Sequence, residues 1–143
     1  MKKWVSVLLA FVIVASMATM AWADEEYPEP DTPLDEYANA YSATVSLSKQ
    51  GSKSASISLL CSGKTGTTSI TATVYLQKQS GSSWVNSTIN GNASYYTSGT
   101  NYLNASVTTS VTAGTYRAKA VYKVTCNGST ETITVYSSSV TFS

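Results

Sequence analysis

The sequence predicts an all-β protein whose main domain is a two-sheet antiparallel sandwich of about seven strands. Apolar and polar residues alternate in short runs, which is the period of a strand with one buried face. Gly, Asn and Ser separate these runs, as turns separate the strands of a sandwich or a barrel. Ser and Thr make up about a third of residues 24–143, and Thr suits the half-buried surface of a strand.

Three runs open the predicted domain, and the first covers residues 41–48. In the second run, 54–61, serines alternate with an apolar face formed by Ala55, Ile57, Leu59 and Cys61. In the third run, 69–79, Thr, Tyr and Gln alternate with Ile70, Ala72, Val74 and Leu76. The second and third runs have a period of two residues, so each is predicted to be a strand with one face in the core.

Four further runs complete the predicted sandwich. A short run after residues 80–82 contains Trp84 and Ile89, and the run 101–107 places Leu103, Ala105 and Val107 on one face. The run 116–126 has an inward face of Tyr116, Ala118, Ala120, Tyr122, Val124 and Cys126. The last run covers residues 131–142 and changes parity at 137–139, which predicts a bulge or a bend there.

A tight hairpin is predicted between the last two runs. The dipeptide Asn127-Gly128 favours a two-residue type I′ turn, because both central positions of that turn need a positive φ. Such a turn pairs Tyr122 with Ile133, so that inward residues meet inward residues along the ladder. The hairpin therefore fixes the register of the last two long strands.

The N-terminal residues have the order of a secretory signal peptide. Lys2 and Lys3 precede an apolar run at 4–15, and the small-residue site 21–23 follows. The apolar run has about 12 residues, fewer than the roughly 18 that span a bilayer. We predict cleavage after residue 23, an extracellular location and no membrane association of the mature chain. The alternative is an uncleaved membrane anchor.

Residues 24–40 differ in composition from the domain that follows at 41–143. Seven carboxylates and all three prolines lie at 24–36 without any cation, and such a segment has too little apolar surface to fold. We predict a disordered acidic linker at 24–40. The domain has seven cations against Glu131, a net charge of about +6. This charge either keeps the surface soluble or attracts an acidic partner, which could be the linker itself.

Tyr116 and the two cysteines indicate an immunoglobulin-like arrangement. Tyr116 follows a glycine turn at the start of its strand, as the tyrosine corner of immunoglobulin-like domains does. Cys61 and Cys126 end two strands that lie in opposite sheets of such a sandwich and run in the same direction. In an exported chain this arrangement favours a disulfide between Cys61 and Cys126. The alternative is a pair of buried free thiols.

Three segments carry a resemblance to known proteins: Thr-Val-Tyr-Leu-Gln-Lys at 73–78, Ser-Ser-Trp at 82–84, and Gly-Thr-Tyr-Arg-Ala-Lys-Ala-Val at 114–121. With these segments, residues 41–143 resemble a group of short exported proteins of Firmicutes, especially clostridia. The resemblance implies a secreted bacterial protein with an immunoglobulin-like β-sandwich. It implies no activity.

The composition argues against catalysis. The chain has no His, so it has no Ser-His or Cys-His pair and no imidazole ligand for zinc. Glu131 is the one carboxylate side chain of residues 41–143, so the domain has no acid–base pair. We expect no enzyme activity, no catalytic residue, no metal, no cofactor and no nucleic-acid partner.

Two functions fit the sequence. The outward face of the third, sixth and seventh strands is predicted to bring together Tyr75, Arg117, Lys119, Lys123 and Tyr136. Aromatic rings stack on sugars and cations attract anions, so this face predicts a binding or adhesion module for an anionic cell-wall or host polysaccharide, or for another surface protein. The alternative is a structural protein of the cell surface or matrix that assembles through its edge strands. The sequence does not indicate an oligomeric state.

Overall fold

The computed structural model describes residues 37–143, which form two antiparallel β-sheets. The predicted signal peptide at 1–23 and residues 24–36 of the predicted linker lie outside the described residues. Within the described range no residue is helical, and no helix there is long and apolar enough to cross a membrane. The strands are β1 (Ala40–Gly51), β2 (Ser54–Gly63), β3 (Thr67–Ser80), β4 (Ser83–Asn86), β5 (Tyr95–Gly99), β6 (Tyr102–Ser110), β7 (Gly114–Cys126), β8 (Ser129–Tyr136) and β9 (Val140–Phe142).

The two sheets differ in size. The smaller sheet has three strands in the order β1-β2-β6, so β1 and β6 each have one unpaired side in it. The larger sheet has six strands, with β4-β3-β7-β8 as its main path. In this sheet β3 pairs with β7 along most of its length, and its other side pairs with β5 and then with β4. The short strand β9 pairs with the start of β7.

Alternate residues of both sheets bury their side chains in one hydrophobic core. The apolar faces predicted for β2, β3 and β7 are buried almost completely, as the alternation requires. The largest fully buried side chains include Tyr116, Tyr122, Phe142, Ile57 and Leu59. The all-β prediction is therefore confirmed.

The predicted hairpin is present, whereas the number of strands differs from the prediction. Asn127 and Gly128 have φ angles of 52° and 82°, and Tyr122 pairs with Ile133. The last predicted run divides into β8 and β9 at the parity change. The strand β5 was not predicted, because its sequence of Tyr, Thr, Ser and Gly has no apolar alternation and neither of its faces is fully buried. The chain thus has nine strands in the described range instead of about seven.

The predicted disulfide between Cys61 and Cys126 is wrong, because the two cysteines are buried free thiols. Tyr122 of β7 reaches across the core to the residue before Cys61, because its hydroxyl accepts a hydrogen bond from the backbone N–H of Leu60 at 3.1 Å. Cys126 lies four residues further along β7, which is about 13 Å in a strand. A disulfide needs Cα atoms within about 7 Å of each other. The alternation pattern places both cysteines inward, but it does not place them at the same position along the strand direction.

The two thiols have separate surroundings. The Sγ atom of Cys126 donates a hydrogen bond to the backbone oxygen of Thr65 at 3.3 Å. Burial, together with the nearby carboxylate of Glu131, raises the pKa of the Cys61 thiol to about 11. Because the thiolate is the reactive form, Cys61 is a poor nucleophile at neutral pH.

The residues that precede β1 are bonded to the end of the larger sheet. The carboxylate of Glu131 accepts hydrogen bonds from the backbone N–H of Ala38 at 3.1 Å and of Asn39 at 2.7 Å. The buried Asn39 amide donates to the backbone oxygens of Val124 at 2.8 Å and Ser129 at 2.9 Å. Residues 38–40, placed in the linker from the sequence, therefore contact the domain.

We expect Tyr116→Phe to lower the free energy of unfolding by about 1 kcal/mol. The hydroxyl of the buried Tyr116 lies 3.3 Å from the backbone N of Thr112 and 3.0 Å from its Oγ1. Phe keeps the buried ring and loses both hydrogen bonds, while water partly replaces the hydroxyl at the exposed Thr112. Urea denaturation of both proteins measures the difference. An unchanged midpoint would mean that Tyr116 contributes only apolar packing.

Candidate functional site

Odd-numbered residues of β3 and β7 point away from the core on the larger sheet. Tyr75 of β3 lies opposite Lys119 of β7, and Lys119 lies opposite Tyr136 of β8. Gln77 lies opposite Arg117 in the neighbouring row. We call this outward side of β3, β4, β5, β7 and β8 the outer face. It is the surface on which the sequence predicted a ligand.

Arg117 is the centre of the outer face. Its guanidinium carbon lies 4.5 Å from the ring centroid of Trp84 and 4.3 Å from that of Tyr136. The two rings belong to β4 and β8, on opposite sides of the central pair of strands. The Nε–H of Arg117 donates to Oε1 of Gln77 at 2.8 Å, and the Gln77 amide donates to Oδ1 of Asn86 at 3.1 Å. These contacts hold the guanidinium in one orientation.

Lys119 and Lys123 have different surroundings on this face. The Nζ atom of Lys119 lies 5.8 Å from the ring centroid of Tyr75, within the range of a cation–π contact. Lys123 is exposed and lies between Thr71 and Thr132 in the ladder. It is four residues from Lys119, which is about 13 Å along a strand. The structure thus brings Tyr75, Arg117, Lys119 and Tyr136 together, and it places Lys123 on the same face but apart from them.

Within residues 37–143, the charged side chains of the outer face are all cationic. Arg117, Lys119 and Lys123 all point outward from β7. Glu131, the one carboxylate side chain of residues 37–143, is bonded to the backbone of Ala38 and Asn39 instead. A strip of like charge without a carboxylate beside it attracts anions.

Three residues of the outer face are not predicted from the sequence. The alternation of its strand gives Gln77 an outward position and nothing more, and the short run that contains Trp84 indicates no role for it. Tyr96 lies on β5 opposite Thr73, which places it on the outer face. The adjacent Ser80-Gly81-Ser82 turn could have located Trp84, since a hairpin there folds its strand back beside β3. Nothing in the sequence of β5 indicates where Tyr96 points.

The remaining chemistry of the described domain is sparse. Within residues 37–143, no group of three or more His, Cys, Asp or Glu side chains is placed to hold a metal ion. No protein-family model matches the chain, and no curated protein matches it. The geometry of the outer face is therefore the basis for a functional proposal.

Proposed function

We propose that this protein is a secreted, non-catalytic binding module whose outer face binds an anionic polysaccharide of a cell wall or a host surface. The observation that supports the proposal is the position of Arg117 between Trp84 and Tyr136, with Lys119 on Tyr75 beside it. Cations attract the acidic groups of such a polymer, and exposed aromatic rings stack on its sugars.

An immunoglobulin-like sandwich and an exported location are parts of the same proposal. Two antiparallel sheets around one core, with β2 and β7 in opposite sheets, agree with that fold. The hydrogen bond from Thr112 to the hydroxyl of Tyr116 agrees with a tyrosine corner. The signal-like N-terminus and the resemblance to exported clostridial proteins support secretion by a bacterium.

The salt dependence of binding tests the proposal. In a panel of wall and host polysaccharides, at least one anionic polymer should bind the full chain at low salt and bind more weakly as salt rises. Exposed charges are screened over about 8 Å at physiological ionic strength, so a surface of cations loses its attraction there. Lys119→Gln with Lys123→Gln should weaken binding at low salt and remove most of the salt dependence.

A matched control removes the same charge elsewhere. Lys49 lies on β1 and Lys53 in the turn that follows it, away from the outer face. Lys49→Gln with Lys53→Gln should leave binding nearly unchanged. Equal losses from the two double variants would mean that only the net charge of the protein matters. If no polymer binds at low salt, the binding module is excluded.

Self-assembly is the second candidate, and the edge strand β6 supports it. Strand β6 pairs with β2 without a register shift, and it has no charged side chain. Such an edge is a template for pairing with another strand. Sedimentation over a range of concentrations should then show growing assemblies, and Ser106→Lys should prevent them, because an edge lysine opposes pairing. A monomer at all concentrations would contradict self-assembly.

A further inference from the structure

The N–H donors of Arg117 that remain without a partner within residues 37–143 are those of its two Nη atoms. An arginine has five N–H donors in a fixed plane. The Nε–H is bonded to Gln77, and the rings of Trp84 and Tyr136 lie against the guanidinium. Within residues 37–143 neither Nη atom makes a hydrogen bond. The two Nη groups are therefore held in place and available to a ligand.

The shape of this site selects among anions. A carboxylate is planar and accepts two parallel N–H bonds from a guanidinium in one plane. Trp84 and Tyr136 approach the guanidinium carbon from opposite sides of β7, at 4.5 Å and 4.3 Å. A flat carboxylate needs less room beside two rings than the out-of-plane oxygens of a sulfate or a phosphate ester need. The site at Arg117 therefore fits a carboxylate better than a tetrahedral anion of similar charge.

Tyr96 is the aromatic residue of the outer face that has no cation on its ring. Trp84, Tyr75 and Tyr136 each lie within 6 Å of an arginine or lysine group, whereas no such contact involves Tyr96 in the described part of the chain. Tyr96 is 62% exposed. Its ring is available to stack on a sugar.

The distance between Arg117 and Tyr96 sets the size of the ligand. Tyr96 is two strands away from β7, in the row of Val121, which is four residues from Arg117. These steps correspond to about 10 Å across the sheet and about 13 Å along it. A single sugar cannot reach both residues, but an oligosaccharide of a few residues can.

We propose that the outer face binds a polymer of hexuronic acids, with a sugar carboxylate on the Nη edge of Arg117 and a sugar ring stacked on Tyr96. This inference rests on the proposed function and narrows its ligand class from anionic polysaccharides to carboxylated ones. Arg117 supplies the selectivity for carboxylates, and Lys119 and Lys123 supply long-range attraction.

Calorimetric titration of the full chain with short oligogalacturonides tests the carboxylate site. Methyl-esterified oligogalacturonides keep the sugars and lose the charge, so they should bind much more weakly. Dextran sulfate and polyphosphate carry tetrahedral anions and should also bind more weakly at matched charge concentration. Arg117→Lys keeps the charge but loses the planar pair of donors, and it should weaken oligogalacturonide binding roughly tenfold. Tyr136→Ala removes one of the two rings beside the guanidinium and should reduce the preference for carboxylate over sulfate.

The stacking site has its own matched control. Tyr102 is 53% exposed and lies on the smaller sheet. Tyr96→Ala should weaken oligogalacturonide binding severalfold at every salt concentration, and Tyr102→Ala should leave it unchanged. Thermal melts of each variant confirm that the compared proteins are folded.

Three results would overturn the inference, and each is distinct from failure of the proposed function. The first is an Arg117→Lys protein that binds as well as the parent. The second is an equal effect of Tyr96→Ala and Tyr102→Ala. The third is preferential binding of dextran sulfate or polyphosphate that is lost in the protein with Lys119→Gln and Lys123→Gln. Such a result would show a face that binds anions in general, and it would exclude a preference for carboxylates. Absence of binding by every polymer would instead exclude the proposed function.

Discussion

Tyr122→Ala is expected to lower the free energy of unfolding by about 4 kcal/mol, because removal of a large buried aromatic side chain leaves a cavity that the core fills only in part. Tyr122 is completely buried. Its ring extends from β7 of the larger sheet, and its hydroxyl donates to the backbone oxygen of Thr44 at 2.6 Å and accepts from the N–H of Leu60 at 3.1 Å. One side chain thus bonds to both β1 and β2 of the opposite sheet.

Tyr122→Phe separates the hydroxyl from the ring. The substitution keeps the packing and leaves the two backbone groups without their partner. Water replaces part of the bonding at the half-exposed Leu60, so we expect the free energy of unfolding to fall by about 1–2 kcal/mol. Urea denaturation measures both variants, and Tyr102→Phe on the exposed side of the smaller sheet is the control. If Tyr122→Phe and Tyr102→Phe have the same midpoint, the hydroxyl does not hold the sheets together.

The environment of this hydroxyl also affects its ionisation. Burial, followed by the charge of a Cys61 thiolate, raises the pKa of Tyr122 above its usual range. A raised pKa in the folded state means that the neutral form is the one that the fold stabilises. The contribution of Tyr122 is therefore fully present at neutral pH, and it is lost only in strongly alkaline solution.

The period-two alternation determined much of the fold in advance. In β2 the inward face is formed by Ala55, Ile57, Leu59 and Cys61, and β3 and β7 have similar apolar faces, so burial follows directly from the sequence. The Asn127-Gly128 turn then fixes how β8 pairs with β7, and this register places Lys119 beside Tyr136. The core of the candidate site was accessible from the sequence for the same reason.

The parts that could not be predicted depend on contacts between distant segments. Nothing in the sequence of β5 shows that it pairs with β3, so the position of Tyr96 was not accessible. Alternation shows which face of its strand a cysteine occupies. It does not show how far along the core that cysteine lies from a cysteine in the opposite sheet. The disulfide prediction failed for that reason. Asn39 follows an acidic segment, and its polar side chain gave no sign that it would be buried.

Glu131→Ala is expected to lower the free energy of unfolding by about 3 kcal/mol, because hydrogen bonds to a charged acceptor are worth more than neutral ones and the partly buried N–H of Asn39 is left without this acceptor. The carboxylate holds the backbone of Ala38 and Asn39. Glu131→Gln keeps one acceptor oxygen, so an intermediate loss is expected. Thr132→Ala, at the exposed neighbouring position of β8, is the control and should have little effect.

Two shortened chains identify the partner of Glu131. A chain that begins at Tyr37 retains both backbone N–H groups and should respond to Glu131→Ala as the full chain does. A chain that begins at Tyr41 lacks them, together with the Asn39 amide that bonds to Val124 and Ser129. It should be less stable by several kcal/mol, and Glu131→Ala should cost it little more, because substitutions that remove the same interaction are not additive. Equal effects of Glu131→Ala in the two chains would show that Glu131 stabilises the domain through some other contact.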